Sequence, residues 1–377
     1  MKKIYWLIQQ TKKPGGSELV STQIANRLVN DYDITIIVMG EKPDNCYFDI
    51  NPKIKLRYLG IKERYIRLDE ELSKKKRERK YFSFIGVILS TGFFWLFKRS
   101  KYKKELKEMT TEDDLIIASS LDNYAICPKK RKVYFHIHFN SKFFLKRSNR
   151  LMMGLFTRKP DKYIFLSKMT EDEVKKKYPR INSYYNTNIC RFEREQHFEY
   201  KGGKLLFIGR YADQKRPLLL LQAMNELKKR NIEFHLDMYG NGPLEDLMKR
   251  YIKDNALENN VTINPQSTDI KNILHEHDIL LLTSSYEGYP LVVQEAASQS
   301  VPTISMDWGE PLGELVIDDI SGYITKDSNI YQFAERIQMT LGDPKKLSIL
   351  KEKTYEFASH YSQEAIINKW KTIIESK

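Results

Sequence analysis

The stretch DILLLTSSYEGYPLVVQEAASQ, residues 278–299, joins an apolar strand to a helix through a turn that contains Gly288 and Pro290. In an open α/β sheet, ligands bind at the carboxyl ends of the strands. A helix that begins there presents free N–H groups and the positive end of its dipole, which suit a phosphate. Gly288 lets a ligand approach the backbone closely. The stretch therefore predicts an α/β fold with an anion site at this turn.

Two glutamates flank the predicted anion site. Glu287 lies in the turn, and Glu295 follows eight positions later, inside the helix. Carboxylates repel phosphate, but they accept hydrogen bonds from sugar hydroxyls. A pyrophosphate on the amides near Leu291 and Val292, with the two carboxylates on two sugar rings, is chemically consistent. The turn therefore favours a nucleotide sugar as the ligand.

Outward from this turn, apolar strands alternate with amphipathic helices along both halves of the chain, which indicates two doubly wound α/β domains. The strands predicted in the second half lie at 204–209, 233–239, 261–263, 278–283 and 301–305. Those predicted in the first half lie at 3–10, 33–39, 115–119, 132–138 and 162–166. A polar segment that ends in two glycines separates the halves. We therefore expect domains at 1–196 and 197–357, and a closing helix at 358–377 that returns to the first domain.

Three further loops carry candidate site residues. Arg210 and Lys215 follow a predicted strand, and two cations at a strand end can clamp a diphosphate. Gly15 and Gly16 open the first helix, where their backbone can approach an anion. Alternation along the strand at 132–138 puts His136 and His138 on one face. Such a pair can bind a metal, but the sequence offers no evident third ligand, so we expect no metal site.

Residues 287–295 closely resemble the E-G-[FY]-P-x-x-x-x-E signature of family 4 GT-B glycosyltransferases. Residues 209–216 are similar to the family's G-R-x-x-x-x-K-G segment, with Arg216 in place of the last glycine. The resemblance implies a GT-B architecture, in which two Rossmann-like domains face each other across a cleft. It also implies transfer of a hexose or N-acetylhexosamine from a nucleotide diphosphate, expected to be UDP, with retention of configuration and without metal or cofactor.

The resemblance also implies roles for individual residues. Arg210 and Lys215 would bind the diphosphate, Glu287 the transferred sugar and Glu295 the ribose. The family has an active-site histidine at the end of one strand, and His138 fits this place better than His136, although both stay open. The remaining donor-binding residues that the resemblance implies are Gly15, Gly16, Tyr239, Gly240, Gln266, Gly288, Tyr289, Pro290, Leu291 and Val292.

The net charge of +14 is unevenly distributed. Residues 1–200 hold 42 Lys and Arg against 24 Asp and Glu, whereas residues 201–377 hold 21 against 25. A basic half implies an anionic partner. Because no nucleic-acid motif is present, we expect an anionic membrane surface, contacted through residues 62–107, and no nucleic acid. The apolar segment 84–97 is shorter than the roughly 20 residues that span a bilayer, so it is either a buried helix or an interfacial one.

The cysteine content and the first apolar run predict the compartment. Three cysteines imply no disulfide framework, and the first apolar run is too short for a signal peptide, which together favour the cytoplasm. The basic half suits an enzyme at the inner face of the membrane, acting on a lipid-linked or surface-glycan acceptor. Two alternatives stay open: a sugar-nucleotide epimerase of the same architecture, and a non-catalytic partner subunit of a glycosyltransferase.

Overall fold

The computed structural model describes residues 1–12, 15–62, 99–146 and 159–376, which fall into two compact units. The first comprises Met1–Thr187 and Ile367–Lys377, and the second Asn188–Ile366. The boundary between the two units, between Thr187 and Asn188, therefore lies before the predicted boundary between residues 196 and 197. The reason is that the polar segment is held by the second unit: the Glu195 N–H donates to Ser298 O (2.8 Å), and Ser300 Oγ donates to Glu195 O (2.8 Å).

The first unit is built on a parallel sheet covered by helices. Its strands are β1 (Lys3–Ile8), β2 (Asp33–Gly40), β3 (Lys55–Ile61), β4 (Leu115–Ala118), β5 (Lys132–Ile137), β6 (Lys162–Phe165) and β7 (Ser183–Tyr185). Its helices include α1 (Gly16–Leu28), α2 (Arg99–Met109), α3 (Leu121–Ala125), α4 (Ser141–Leu145) and α5 (Lys168–Lys177). The strand order is β3-β2-β1-β4-β5-β6-β7. The inner strands read as apolar runs because both faces of a parallel sheet are buried.

The second unit repeats this plan. Its strands are β8 (Lys204–Ile208), β9 (His235–Tyr239), β10 (Val261–Asn264), β11 (Ile279–Leu282), β12 (Thr303–Met306) and β13 (Gly322–Thr325). Its helices are α6 (Pro217–Lys229), α7 (Glu245–Asp254), α8 (Ile270–His275), α9 (Leu291–Ser298), α10 (Leu312–Leu315), α11 (Ile330–Leu341) and α12 (Pro344–Phe357). The strand order is β10-β9-β8-β11-β12-β13, all parallel.

A 3₁₀ turn (Ala358–Tyr361) precedes the last helix, α13 (Gln363–Glu375), and α13 from residue 367 onward is part of the first unit. Trp370 is fully buried there, with its ring centroid 5.2 Å from that of Trp6 and 5.0 Å from that of His136. The ammonium of buried Lys162 donates to the carbonyl oxygens of Ile373 (3.0 Å) and Ser376 (2.5 Å). A cation there satisfies free carbonyls at the negative end of the helix.

The predicted membrane-contacting region, 62–107, lies mostly outside the described residues, as does the whole apolar segment 84–97. Of this region, only residue 62 and residues 99–107, which belong to helix α2, are part of the described chain. Within that part, every helix is too short or too polar to span a bilayer.

Candidate active site

The strand order of the second sheet brings two loops together. Strands β8 and β11 are neighbours, with Leu205 opposite Ile279. The chain leaves β8 towards β9 on one side and leaves β11 towards β12 on the other. Such a switch point opens a crevice at the carboxyl ends of the two strands, where doubly wound sheets bind ligands. The loops at this crevice are residues 209–216 and 283–290.

Main-chain and side-chain hydrogen bonds fix the first loop to the second. The Ser285 N–H donates to Gln214 O (2.8 Å), and Thr283 Oγ1 donates to Lys215 O (3.0 Å). Gln214 Nε2 in turn donates to Tyr286 O (3.0 Å). The side chains that both loops carry are therefore held in register before any ligand arrives.

Arg216 occupies the position where the family pattern has glycine. Its backbone conformation explains why the family has glycine there. Its φ of +47° lies in the left-handed region, which favours glycine. The guanidinium offsets this cost, because it donates to the carbonyl oxygens of Thr283 and Ser284 (2.7 Å for the latter) and pairs with Asp327. The Arg216 side chain thus links the two loops structurally.

Lys215 and Glu287 meet at the centre of the joined loops. Lys215 Nζ lies 2.5 Å from Glu287 Oε1, and Ser284 Oγ donates to the same oxygen at 2.6 Å. Glu287 is buried, and only 17% of the Lys215 side chain is exposed. Two oriented partners hold the carboxylate in one position. The pair thus presents a cation and a hydrogen-bond acceptor side by side, as a sugar phosphate requires.

Helix α9 begins beside this pair without a capping side chain. Its N-cap, Pro290, makes no side-chain hydrogen bond, and its first turn carries no acid. The N–H groups of Leu291 and Val292 consequently keep their capacity to bind an anion. Gly288 is half-buried in the turn, whereas Tyr289 and Pro290 are buried and shape it.

Glu295 has a partner that the sequence did not reveal. Its Oε1 accepts a hydrogen bond from Arg191 Nε at 2.6 Å, and the carboxylate is almost fully buried. Arg191 belongs to no recognisable motif and lies 104 positions away in the chain. Only the packing of the segment after residue 188 against α9 creates this pair. One carboxylate oxygen of Glu295 is therefore already engaged.

Tyr239 ends β9, Gly240 follows it, and Gln266 lies on the loop after β10, close to the strand ends that Tyr211 contacts. The fully buried Tyr211 donates its hydroxyl to Met238 O at 2.8 Å. A Cβ atom at Gly240 would lie 2.0 Å from Gly209 O, so only glycine lets these two loops touch. Gln266 is exposed and accepts from Asn241 Nδ2 (2.9 Å).

Gly240→Ala should therefore destabilise the second unit. The backbone of the neighbouring loop has to move away from the added methyl, and such overpacking costs about 1–3 kcal/mol or more. Gly16→Ala is the control, because a Cβ atom there meets nothing within 4 Å, and a change within about 0.5 kcal/mol is expected. Urea denaturation of both variants measures the difference, and equal midpoints would contradict the tight contact.

Gly15 and Gly16 open the first helix, as the sequence predicted, but a carboxylate lies at this helix start. Helix α1 starts at Gly16, and Gly15 is its extended N-cap. A Cβ atom at Gly15 would lie 2.3 Å from Glu18 Oε2, and Ser17 Oγ donates to that oxygen (2.8 Å). The start of α1 therefore already carries the carboxylate of buried Glu18, a favourable charge at this end of a helix dipole.

The two histidines at the carboxyl end of β5 contact each other. His138 Nε2 lies 3.1 Å from His136 Nδ1. Burial lowers the pKa of His138 to about 4, and burial with the neighbouring His138 lowers the pKa of His136 well below its usual value. Both rings are therefore neutral at pH 7. His136 is fully buried, whereas His138 follows the strand and is partly exposed. Among the described residues, no third side chain completes a metal-ligand group with them.

The structure joins the predicted residues into smaller groups than expected. Lys215 and Glu287 lie together beside the start of α9. Glu295 is paired with Arg191. Arg210 is exposed, and its guanidinium finds no acceptor within the described ranges. Gly15, Gly16 and His138 belong to the first unit, and the other predicted site residues belong to the second.

Comparisons with known proteins relate the chain to glycosyltransferases. Residues 191–357 match the family model described as Glycosyl transferases group 1. The chain is 25% identical to an uncharacterized glycosyltransferase of Haemophilus influenzae, with 99% of this chain and 100% of that protein aligned. It is 22% identical to the amylovoran biosynthesis glycosyltransferase AmsD of Erwinia amylovora, again over 99% of this chain and 100% of the relative.

A solved structure of similar fold is a mutant of S. aureus TarM, in complex with fondaparinux, alpha-GlcNAc-glycerol and UDP. It matches over 100% of both chains with a TM-score of 0.78 and 15% identity, a likeness that concerns the fold. The two parallel sheets and this likeness confirm the predicted α/β class and GT-B fold. The match to the group 1 glycosyltransferases covers residues 191–357, which lie within the second unit, and together with the two relatives it supports a glycosyltransferase.

Proposed function

We propose that the chain is a retaining glycosyltransferase that moves a hexose or N-acetylhexosamine from a UDP-sugar to a hydroxyl of a lipid-linked or surface-glycan acceptor. One observation carries the proposal: the Lys215–Glu287 pair, 2.5 Å apart, lies beside the uncapped start of α9 at the switch point of the second sheet. A cation, free N–H groups and a buried carboxylate together match a diphosphate that carries a sugar.

Transfer proceeds by replacing one bond at the anomeric carbon with another. The bond from this carbon to the diphosphate oxygen breaks, and a bond to the acceptor oxygen forms on the same face. The acceptor proton passes to the leaving phosphate, and UDP departs. Lys215, Arg210 and the N–H groups of Leu291 and Val292 stabilise the charge that grows on the diphosphate. Glu287 holds hydroxyls of the transferred sugar, and Glu295 those of the ribose.

The donor-binding roles of His138, Gly15 and Gly16, which belong to the first unit, stay predictions from the family resemblance. The low pKa of His138 supports a role as a neutral hydrogen-bonding group towards the sugar. Its partner His136 is fully buried and fixes the ring through the 3.1 Å contact. Tyr239, Gly240 and Gln266 shape the nucleotide pocket. No step requires a metal ion or cofactor.

Two relatives support the choice of donor and acceptor class. AmsD acts in amylovoran biosynthesis, which supports a glycan acceptor. The TarM complex holds UDP together with a GlcNAc-glycerol, which supports a UDP-sugar donor.

A basic surface of the first unit supports a membrane-bound acceptor. Lys101, Lys107 and Lys129 are exposed on α2 and the loop before β5. Desolvation lowers the pKa of Lys103, and the nearby cations of Arg99 and Lys129 lower it further. Clustered cations of this kind are drawn to anionic lipid, at about 1 kcal/mol per residue. We infer that this surface rests on the inner face of the cell membrane.

Vesicle sedimentation tests the membrane contact. Replacing Lys101, Lys107 and Lys129 by alanine should weaken binding to phosphatidylglycerol vesicles by about 100-fold, while zwitterionic vesicles bind neither protein. The matched control removes three exposed lysines of the second unit, Lys249, Lys253 and Lys345. Equal binding of both triple variants would contradict the proposed surface.

Release of UDP from a panel of UDP-sugars, with and without added lipid-linked acceptor, tests the function. A transferase releases UDP fastest when both substrates are present, and it does so in the presence of a chelator. An epimerase would consume the donor without any acceptor. A non-catalytic subunit would release no UDP under any condition. The anomeric configuration of the product, measured by NMR, decides whether transfer proceeds with retention.

Glu295→Ala should raise the donor KM more than it lowers kcat, because the ribose is bound equally in ground and transition states. A lost charge-assisted hydrogen bond of about 1.5–3 kcal/mol corresponds to at least a tenfold effect. Arg191→Ala should act in the same direction, because Glu295 then loses the 2.6 Å partner that holds its carboxylate in position. Steady-state kinetics measures both, with Glu245→Ala as control, and an unchanged KM in Glu295→Ala would remove the ribose assignment.

A further inference from the structure

A second cluster of ligand-type side chains lies at the far end of helix α9 from the Lys215–Glu287 pair. Glu195 Oε2 is 3.5 Å from His197 Nε2 and also 3.5 Å from His275 Nε2. All three ligand atoms lie within 4.8 Å of one another. We propose that Glu195, His197 and His275 form a structural binding site for a zinc ion, which the glycosyl transfer itself does not use.

The distances between the ligand atoms fit zinc. Zinc binds imidazole nitrogen and carboxylate oxygen at about 2.0–2.2 Å, usually with tetrahedral geometry. Ligand atoms on such a tetrahedron are roughly 3.3–3.5 Å apart. Both measured separations from Glu195 Oε2 already have this value. An ion can therefore enter with little movement of the side chains, and two imidazoles favour zinc over magnesium or calcium.

The backbone that carries the cluster is fixed on three sides. The Glu195 N–H donates to Ser298 O (2.8 Å), and the His197 N–H donates to Ser300 Oγ (3.1 Å). His275 is the last residue of α8. Lys271 pairs with Glu195 Oε1, which leaves Oε2 directed at the two imidazoles. Outer partners of this kind orient metal ligands in established zinc sites.

Two details within the cluster indicate a ligand. His197 Nε2 is buried and makes no hydrogen bond with the described residues, although its ring centroid lies only 3.8 Å from that of His275. Fully buried Gln299 directs its Oε1 at His275 Nε2 (2.6 Å), because its Nε2 donates to Glu193 O (2.9 Å). A zinc ion would give the His197 nitrogen a partner. In the metal-free chain His275 Nε2 donates to Gln299 Oε1, at a distance shorter than that between two zinc ligands. Zinc would replace this proton, which leaves His275 protonated on Nδ1, and a water molecule would complete the tetrahedron.

The site would join two parts of the second unit. Glu195 and His197 belong to the segment that follows residue 188, and His275 ends α8. Arg191, the partner of Glu295, lies four positions before Glu195 on the same segment. A bound ion would therefore hold this segment in place and raise the stability of the folded unit, because it binds only the native arrangement.

Titration of the metal-free full chain with zinc chloride tests the site. We expect one ion per chain, an increase in the thermal unfolding midpoint, and intense visible bands when Co²⁺ replaces zinc in a tetrahedral site. His197→Ala and His275→Ala should each weaken zinc binding by about 100-fold or more, since even outer partners contribute 10–100-fold. Glu195→Gln, which keeps the shape of the side chain, should also weaken binding.

Two further histidines serve as controls. His360→Ala removes an exposed imidazole elsewhere in the second unit, and His138→Ala removes half of the H-x-H pair. Both should bind zinc as the unchanged chain does, and circular dichroism checks that every variant is folded. A Kd above about 100 µM for the unchanged chain would overturn the proposal. So would equal affinity in the His197 and His275 variants, or loss of binding in His138→Ala.

Discussion

Lys215→Ala is expected to lower kcat by about 100- to 1,000-fold, the effect of removing one preorganised partner of a transition-state charge. The lysine ammonium lies 2.5 Å from Glu287 and beside the start of α9. In the proposed mechanism Lys215 binds the diphosphate as negative charge grows there, so its contribution would be larger in the transition state than in the ground state. Donor KM should therefore change far less than kcat. Steady-state kinetics with the preferred UDP-sugar measures both values.

Two further variants test whether the effect is specific to Lys215 and whether it depends on Glu287. Lys249→Ala removes an exposed lysine of the same unit, which pairs only with Glu245 on the surface, and should leave kcat unchanged. Combining Lys215→Ala with Glu287→Gln should cost less than the sum of the single effects, because residues in direct contact couple. A kcat within threefold of the unchanged enzyme in Lys215→Ala would remove the diphosphate clamp from the proposal.

Asp278→Ala should destabilise the second unit by about 3–5 kcal/mol, the usual cost of breaking a buried ion pair. Asp278 is fully buried, and its Oδ1 accepts from the equally buried Lys351 Nζ at 2.7 Å. Its carboxylate also accepts from the main-chain N–H groups of Lys201, Gly203 and Lys204. Removing it strands a buried cation and three donors. Urea denaturation followed by far-UV circular dichroism measures the loss.

The matched control breaks an exposed pair instead. Glu245→Ala, which releases Lys249, should cost under about 1 kcal/mol because solvent screens the pair. Lys351→Met should cost less than Asp278→Ala, since Asp278 keeps its backbone donors. If all three variants unfolded at the same urea concentration, the buried pair would have no special role in holding the chain that leads into β8.

Local sequence was sufficient for the strands and turns at the centre of both sheets. The apolar runs that became β1, β2, β4, β5, β8 and β11 are buried on both faces, so their pattern is visible without any partner. Three of the four edge strands, β3, β7 and β13, were not predicted, whereas the edge strand β10 was. Strands β3 and β7 are partly exposed and mix polar with apolar residues, and β13 has only four residues. Their pairing depends on a neighbouring strand rather than on their own composition.

The candidate site shows the same division. The turn around Glu287 and the loop with Lys215 were predicted from spacing, and both lie within residues 191–357, which match the group 1 glycosyltransferase model. The pairing of Arg191 with Glu295 and the position of Glu18 beside Gly15 were not predicted. Donor, acceptor, retention and the individual residue roles stay predictions.

Hydrophobic periodicity and short motifs were enough to indicate a doubly wound fold and the chemistry of its strand ends, because these depend on neighbours within a few residues. Which side chains meet was decided by the folded chain alone. Lys215 touches Glu287 only because β8 and β11 are adjacent in the sheet, and Glu195 approaches His275 only because the segment after residue 188 crosses the end of α9. Contacts between distant residues follow from strand order and packing, which no local pattern records.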